Sequence, residues 1–287
     1  MPRHAVKNAS PPPDLAELRP GQSIELLKAL HILTRDGRMN QDSRRKLKQV
    51  YHLVQFIEPL LAQVAQGDDG VRLADMGAGK SYLGFILYDL FFKARDDASR
   101  VYGIEARGEL VQKSVVLAQQ LQFTRMTFLD LPVAEAMASA QLPETLDIVT
   151  ALHACDTATD DAIRFALRKR ARFIVLAPCC QAEVAAVLRK NKGAALADSR
   201  SGALTEAWRH PLHTREFGSH ITNVLRCLQL EAHGYQVNVT ELVGWEHSLK
   251  NELLIASFKD LPRERAAGRL RAMLETLGLE ELITRFS

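Results

Sequence analysis

Leu73-Ala74-Asp75-Met76-Gly77-Ala78-Gly79-Lys80-Ser81 is the stretch that decides how this chain folds. It continues an apolar run that begins at Val71 and leads into a segment from about Ser81 to Ala94 that is apolar nearly all round. The first reads as a buried strand and the second as a buried helix, so the glycines fall in the turn between them. Small residues there let a ligand approach the backbone, and the start of the helix offers N–H groups with no intrahelical partner. Strand, glycine turn and helix N-terminus in that order predict a ligand site at the carboxyl edge of a sheet.

Outward from this loop, short apolar runs alternate with helical segments. Strands are expected at Val101 to Glu105, Met126 to Leu131, Leu146 to His153 and Phe173 to Ala177, with helices at about 108–121, 132–140 and 157–170. Such alternation implies a parallel sheet with right-handed crossovers. After a helix from about Arg215 to His233, Tyr235 to Val243 and Glu252 to Phe258 read as two neighbouring antiparallel strands. Upstream, Leu47, Val50, Val54, Ile57, Leu61 and Val64 recur every three or four residues, which predicts an amphipathic helix capped by Asp42, ended by Gly67 and open to a kink at Pro59. The expected organisation is a disordered arm over 1–22, a helical extension over 23–67, an α/β domain over 68–260 and a C-terminal helix over 261–287. Residues 191–213, with Trp208, His210 and His213, read as a loop insertion.

Two cofactors suit the glycine loop. From Ala74 it satisfies a relaxed Walker A pattern ending in Gly79-Lys80-Ser81, with Asp130 as the best candidate for the Mg²⁺ acid, although no arginine finger or base-binding motif accompanies it. That reading makes the chain a P-loop nucleotide hydrolase. From Asp75 the same string is Asp-x-Gly-x-Gly-x-Ser, the acidic glycine loop of methyltransferases with Ser81 at the third glycine. A carboxylate beside the loop accepts from the ammonium of S-adenosyl-L-methionine and repels a triphosphate. Glu105, which is 30 residues beyond Asp75, then takes the ribose hydroxyls, and Asp130 accepts from the adenine amino group. Asp75, Gly77, Gly79, Glu105 and Asp130 are thus the candidate cofactor residues, with His153 beside them. Ordinary strand-end acids around a turn are the plain alternative.

The fourth and fifth strands end in Leu152-His153-Ala154-Cys155-Asp156-Thr157-Ala158-Thr159-Asp160 and Ala177-Pro178-Cys179-Cys180-Gln181. With the lysine-bearing glycine loop, these strings resemble the methyltransferase family that includes the acceptor-stem tRNA 2′-O-methyltransferases and the methyltransferase-like domain of glutathione S-transferase C-terminal-domain-containing proteins. The resemblance runs over roughly 43–258 and takes in Ser43-Arg44-Arg45-Lys46-Leu47-Lys48-Gln49-Val50 and Lys250-Asn251-Glu252-Leu253. It implies a Rossmann-like class I fold, a seven-stranded mostly parallel sheet closed by an antiparallel pair, and S-adenosylmethionine-dependent methyl transfer. It also points to Asn251, Cys179 and Cys180 on the acceptor side. The chain departs from the family where Asp156 and Ser81 replace usual glycines, and it lacks the tRNA enzymes' zinc module.

His153 is the candidate base, able to take a proton from an acceptor hydroxyl or nitrogen, or else a residue that ties down its loop. Lys80 is the second catalytic candidate, orienting acceptor or cofactor, or simply covering the helix entrance. Cys179 and Cys180 read as packing, as nucleophiles for carbon methylation, or, with His153 and Cys155, as a metal set; no metal-binding hook is present and no metal is expected.

The 287 residues carry a formal net charge of +3, too small to name a polyanionic partner. Arg35, Arg38, Arg44, Arg45, Lys46 and Lys48 against Asp36 and Asp42 nevertheless form a local basic stretch. Arg44, Arg45 and Lys48 could grip RNA phosphates or form a solvated helix face. RNA is the expected acceptor, with a protein or small molecule as alternatives. Four cysteines without a disulfide framework, no secretory signal and no apolar run long enough to span a bilayer make the expected setting cytoplasmic, away from membranes.

Overall fold

The computed structural model describes residues 17–67, 69–152, 154, 156–178, 181–197, 202–242 and 252–287. The chain enters through α1 (Ile24–Ala29), whose N-cap Ser23 accepts from the Leu26 N–H. Helix α2 (Gln41–Val64) follows, and it continues through Pro59. Its cap is Asn40, whose side chain accepts from the Ser43 N–H at 2.7 Å. The expected cap, Asp42, lies in the first turn, where its charge suits the positive end of the helix dipole. Residues 17–22, expected to belong to a disordered arm, pack on α2: Arg19 pairs with Glu58 and lies over the Tyr51 ring, and Gln22 is buried.

The α/β core then runs β1 (Arg72–Met76), α3 (Tyr82–Leu87), β2 (Arg100–Glu105), α4 (Gly108–Gln120), β3 (Met126–Asp130), α5 (Val133–Ala136), β4 (Ile148–Ala151), α6 (Thr157–Arg168) and β5 (Phe173–Leu176). A π-helical turn, Tyr88–Phe92, extends α3 and stacks Tyr88 on Phe123 with ring centroids 4.4 Å apart. Helices α7 (Glu183–Ala197), α8 (Gly202–Thr205) and α9 (Pro211–Ala232) lead to β6 (Tyr235–Glu241) and β7 (Glu252–Phe258), and α10 (Glu264–Leu277) and α11 (Ile283–Phe286) close the chain. The sheet order is β3-β2-β1-β4-β5-β7-β6, parallel from β3 to β5, with β7 antiparallel to both β5 and β6. This is the expected class I methyltransferase architecture.

Alternation along the strands builds a three-layer sandwich. Leu73, Val101 and Ile148 join α1, α2 and α3 in one core, and Ala74, Tyr102 and Val149 join α5 and α6 in the other. Asp89, buried in the π-helical turn, accepts from the Ser23 N–H at 2.7 Å and so fastens the N-terminal extension to the domain.

The expected loop insertion at 191–213 is corrected. The end of α7, then α8, a 3-10 turn at Glu206–Trp208 and the start of α9 occupy that span. Trp208 is 1% exposed and stacks on Phe217 at 4.9 Å. Val184, Val187 and Leu188 of α7 share a third core with Ile221, Leu225 and Leu228 of α9 and Leu270, Leu274 and Leu277 of α10. Burial of this apolar set outweighs the polar composition that made the segment read as a loop. The expected C-terminal helix breaks at Gly278, whose φ of 64° ends α10 before α11 begins.

Candidate functional site

The glycine loop takes left-handed backbone at three positions: φ is 65° at Gly77, 59° at Gly79 and 51° at Ser81. Glycine adopts this conformation freely, whereas a serine pays for it, so Ser81 sits at a strained position. The Ala78 N–H donates to the Ile104 carbonyl at 2.9 Å, tying the loop to the end of β2. On the other side, a Cβ built on Gly77 would stand 3.3 Å from the Ala154 backbone, so the loop also abuts the segment that follows β4. The Ser81 hydroxyl is buried with no hydrogen-bond partner among the described residues and lies 2.5 Å from where a Cβ of Gly84 would be. A P-loop needs that hydroxyl on Mg²⁺, and here it turns into the helix packing. Loop geometry and sheet order thus both leave the hydrolase reading without support. Lys80 is exposed at the loop's outer edge.

The three acids stand at the ends of the adjacent strands β1, β2 and β3, with Glu105 reaching the loop itself through the Gly79 N–H. Asp75 is opposite Thr150 in the β1–β4 register, and Glu105 is opposite Asp130 in the β2–β3 register. Asp75 is 4% exposed and accepts from Thr150 Oγ1 at 2.7 Å. No lysine or arginine pairs with it among the described residues. Burial pushes its carboxyl up to about 6; the Thr150 hydrogen bond opposes this and the Glu105 charge adds to it. Glu105 moves the other way. Burial alone would raise it, but the Arg107 side chain and the Gly79 and Arg107 N–H groups together hold it below the ordinary range. Asp130 is exposed and lies against the start of α4, its Oδ2 being 2.5 Å from where a Cβ of Gly108 would sit.

The site therefore holds a buried carboxylate that pairs with no cation among the described residues, next to one already well supplied with donors. A ligand bringing an ammonium group relieves the first of these, as the amino-acid tail of S-adenosylmethionine does. The residues present fit that cofactor.

On the acceptor side, His153, Cys155, Cys179, Cys180 and Asn251 lie outside the described residues. Their neighbours show how the two loops are joined. Asp156, standing where the resembling family has glycine, has φ 52° and ψ −124°, and its Oδ1 accepts from the Ala182 N–H at 3.1 Å. Arg226, fully buried on α9, donates to both Asp160 oxygens at 2.6 and 2.9 Å and to the Asp156 carbonyl at 3.0 Å. The Gln181 amide lies within 2.7 Å of both Ser219 and Asn223. Among the described residues no three His, Cys, Asp or Glu side chains gather as a metal set.

Of the basic candidates, Arg44 is ion-paired with Glu17 at 2.7 Å, and Arg45 and Lys48 are exposed on the first turns of α2. The Ser43 hydroxyl donates to the His31 carbonyl at 3.2 Å. His31, in turn, lines a groove of about 540 Å³ together with Lys80, Tyr82, Leu110, Lys113 and Val116. His31 and Lys80 thus line the same groove, beside the start of α2. Sequence reasoning missed Thr150, Arg107 and Arg226. Arg107, two residues after the strand-end acid Glu105, carried the one local signal that could have found it.

Residues 45–187 match the family model described as a methyltransferase domain, a stretch that runs from α2 through the glycine loop and both acceptor-side loops to α7. Among curated proteins none matches the chain. Magnesium protoporphyrin IX methyltransferase from Synechocystis, solved with bound SAH, is 18% identical over 83% of this chain and 96% of its own, with a TM-score of 0.45. A putative O-methyltransferase from Klebsiella pneumoniae is 16% identical over 85% of this chain and 93% of its own, with a TM-score of 0.46. An rRNA methylase from Streptococcus thermophilus is 12% identical over 73% of this chain and 96% of its own, with a TM-score of 0.42. The class that this fold, this site and the matched domain define is the S-adenosylmethionine-dependent methyltransferases of class I, and the protein is one of them.

Proposed function

We propose that the chain methylates RNA, with Asp75 holding the cofactor ammonium, Glu105 the ribose hydroxyls and Asp130 the adenine amino group. Bound S-adenosylmethionine supplies a methyl group on a sulfonium, open to in-line attack by an oxygen or nitrogen. Gly77 and Gly79 let the backbone close on the cofactor, and His153 takes the acceptor's proton. Lys80 orients the acceptor at the loop's outer edge, while Cys179, Cys180 and Asn251 line its cleft. The setting is cytoplasmic, and no helix among the described residues is long and apolar enough to cross a membrane.

What supports RNA over other acceptors is the exposed positive charge of Arg45 and Lys48 on the first turns of α2. Phosphate contacts to such cations position a nucleic acid without reading its bases.

Incubation with radiolabelled methyl donor and total cellular RNA, protein and metabolites tests this, and label is expected in the RNA fraction. Alanine at Arg44, Arg45 and Lys48 together should weaken RNA binding across sequences and flatten its salt dependence by about three in log–log slope, with cofactor binding intact. His153→Ala should stop labelling while S-adenosylhomocysteine still binds. Label confined to protein or metabolites would rule RNA out.

A further inference from the structure

Glu105 has two oxygens and therefore about four acceptor positions. All four are taken. Oε2 accepts from the Gly79 N–H at 2.7 Å and Arg107 Nη2 at 3.2 Å; Oε1 accepts from the Arg107 N–H at 3.0 Å and Arg107 Nε at 2.7 Å. A ribose diol brings two further O–H donors, and both need an acceptor on this carboxylate.

Two of the present donors must therefore leave, and two of the four are backbone N–H groups held in place by the chain. The Gly79 N–H belongs to a loop fixed at both ends, by the Ala78 bond to β2 and by the close approach of Gly77 to Ala154. The Arg107 N–H sits at the N-cap of α4. The Arg107 guanidinium, by contrast, is on a side chain that is 63% exposed, and water can solvate it once it lets go. It also lies over the loop, with Nη2 3.6 Å from where a Cβ of Gly79 would be.

We infer that the Arg107 guanidinium is a gate on the ribose subsite: it neutralises Glu105 in the empty site and must swing outward before a ribose diol can bind. This rests on the reading of Glu105 as the ribose ligand. Arg107 also offsets the Glu105 charge that Asp75 faces. The same contact then competes with the cofactor, so Arg107 sets affinity by opposing binding.

Calorimetric titration of the full chain with S-adenosylhomocysteine and with its 2′-deoxy analogue tests the gate. Releasing an ion pair whose cation is exposed is worth roughly a threefold to fivefold change. Arg107→Ala should tighten S-adenosylhomocysteine binding by about that factor, and Arg107→Lys, which cannot grip both oxygens, should fall between. The gain should shrink for the 2′-deoxy analogue, which brings one hydroxyl fewer. Added salt should favour binding to the parent relative to Arg107→Ala, because it loosens the competing pair. Unchanged or weaker binding to Arg107→Ala would overturn the gate and make Arg107 an ordinary support of the site. If Glu105→Gln binds as well as the parent, the ribose assignment itself fails, whatever Arg107 does.

Discussion

Asp75 carries a stability cost that its proposed role would offset. Its folded-state carboxyl, at about 6, lies above the ordinary 3.8, so the folded chain keeps a proton that the unfolded chain gives up. Between about pH 4 and pH 6 the unfolded state binds fewer protons, and stability falls as pH rises through that window, by about 3 kcal/mol in all. Glu105, held below its ordinary range, acts with the opposite sign: its contribution is present above the unfolded value and is lost as pH falls. Asp75→Asn should therefore raise the apo protein's stability at pH 7 by about 1 to 3 kcal/mol, measured by urea unfolding, and abolish cofactor binding. For the parent, affinity for S-adenosylhomocysteine should drop about tenfold per pH unit below pH 6, as Asp75 takes up the proton that excludes the ammonium. A pH-independent affinity would show that the ammonium is held elsewhere. Asp75 is legible in the sequence as an acid beside two glycines. Its burial and its partner Thr150, from a strand 75 positions on, are not.

At the scale of elements, the segment that follows β4 is held by a buried ion pair between α6 and α9. Arg226 of α9 and Asp160 of α6 have side-chain exposures of 0% and 3%, and the same guanidinium reaches the Asp156 carbonyl that begins α6. Removing one partner strands the other charge in the interior. Arg226→Met should cost about 3 to 5 kcal/mol, and the double variant combining Arg226→Met with Asp160→Leu should recover most of that, as read from thermal or urea unfolding. If the single and double variants unfold alike, packing of α9, not the ion pair, carries the stability. The third core shows why periodicity fell short here. Helix α7 has a modest apolar face, and its role is set by α9 and α10, which reach it from much later in the chain.

For the whole molecule, the glycine loop after β1 is bonded to the end of β2 and abuts the segment after β4, so a ligand seated on it would couple the two halves of the sheet to each other. S-Adenosylhomocysteine at about a hundred times its Kd should add about 2.7 kcal/mol and raise Tm by about 5 °C, whereas ATP with Mg²⁺ should leave Tm unchanged. A shift with ATP and none with the cofactor product would return the loop to the P-loop reading.

The sequence by itself determined the order of strands and helices, the glycine loop at the first crossover, the acids at three successive strand ends and the antiparallel close of the sheet. These follow from local signals: a period of two or about four, glycines where backbone must turn, and an acid where a strand stops. Only the tertiary structure decided that Trp208 lies in a core, that Asn40 and not Asp42 caps α2, that Glu105 is already engaged by Arg107, and that Asp75 is buried against Thr150. Burial and partnership depend on what packs from remote parts of the chain, and the same carboxylate is an acceptor poised for a cation or a saturated anchor according to which donors the fold brings within about 3 Å.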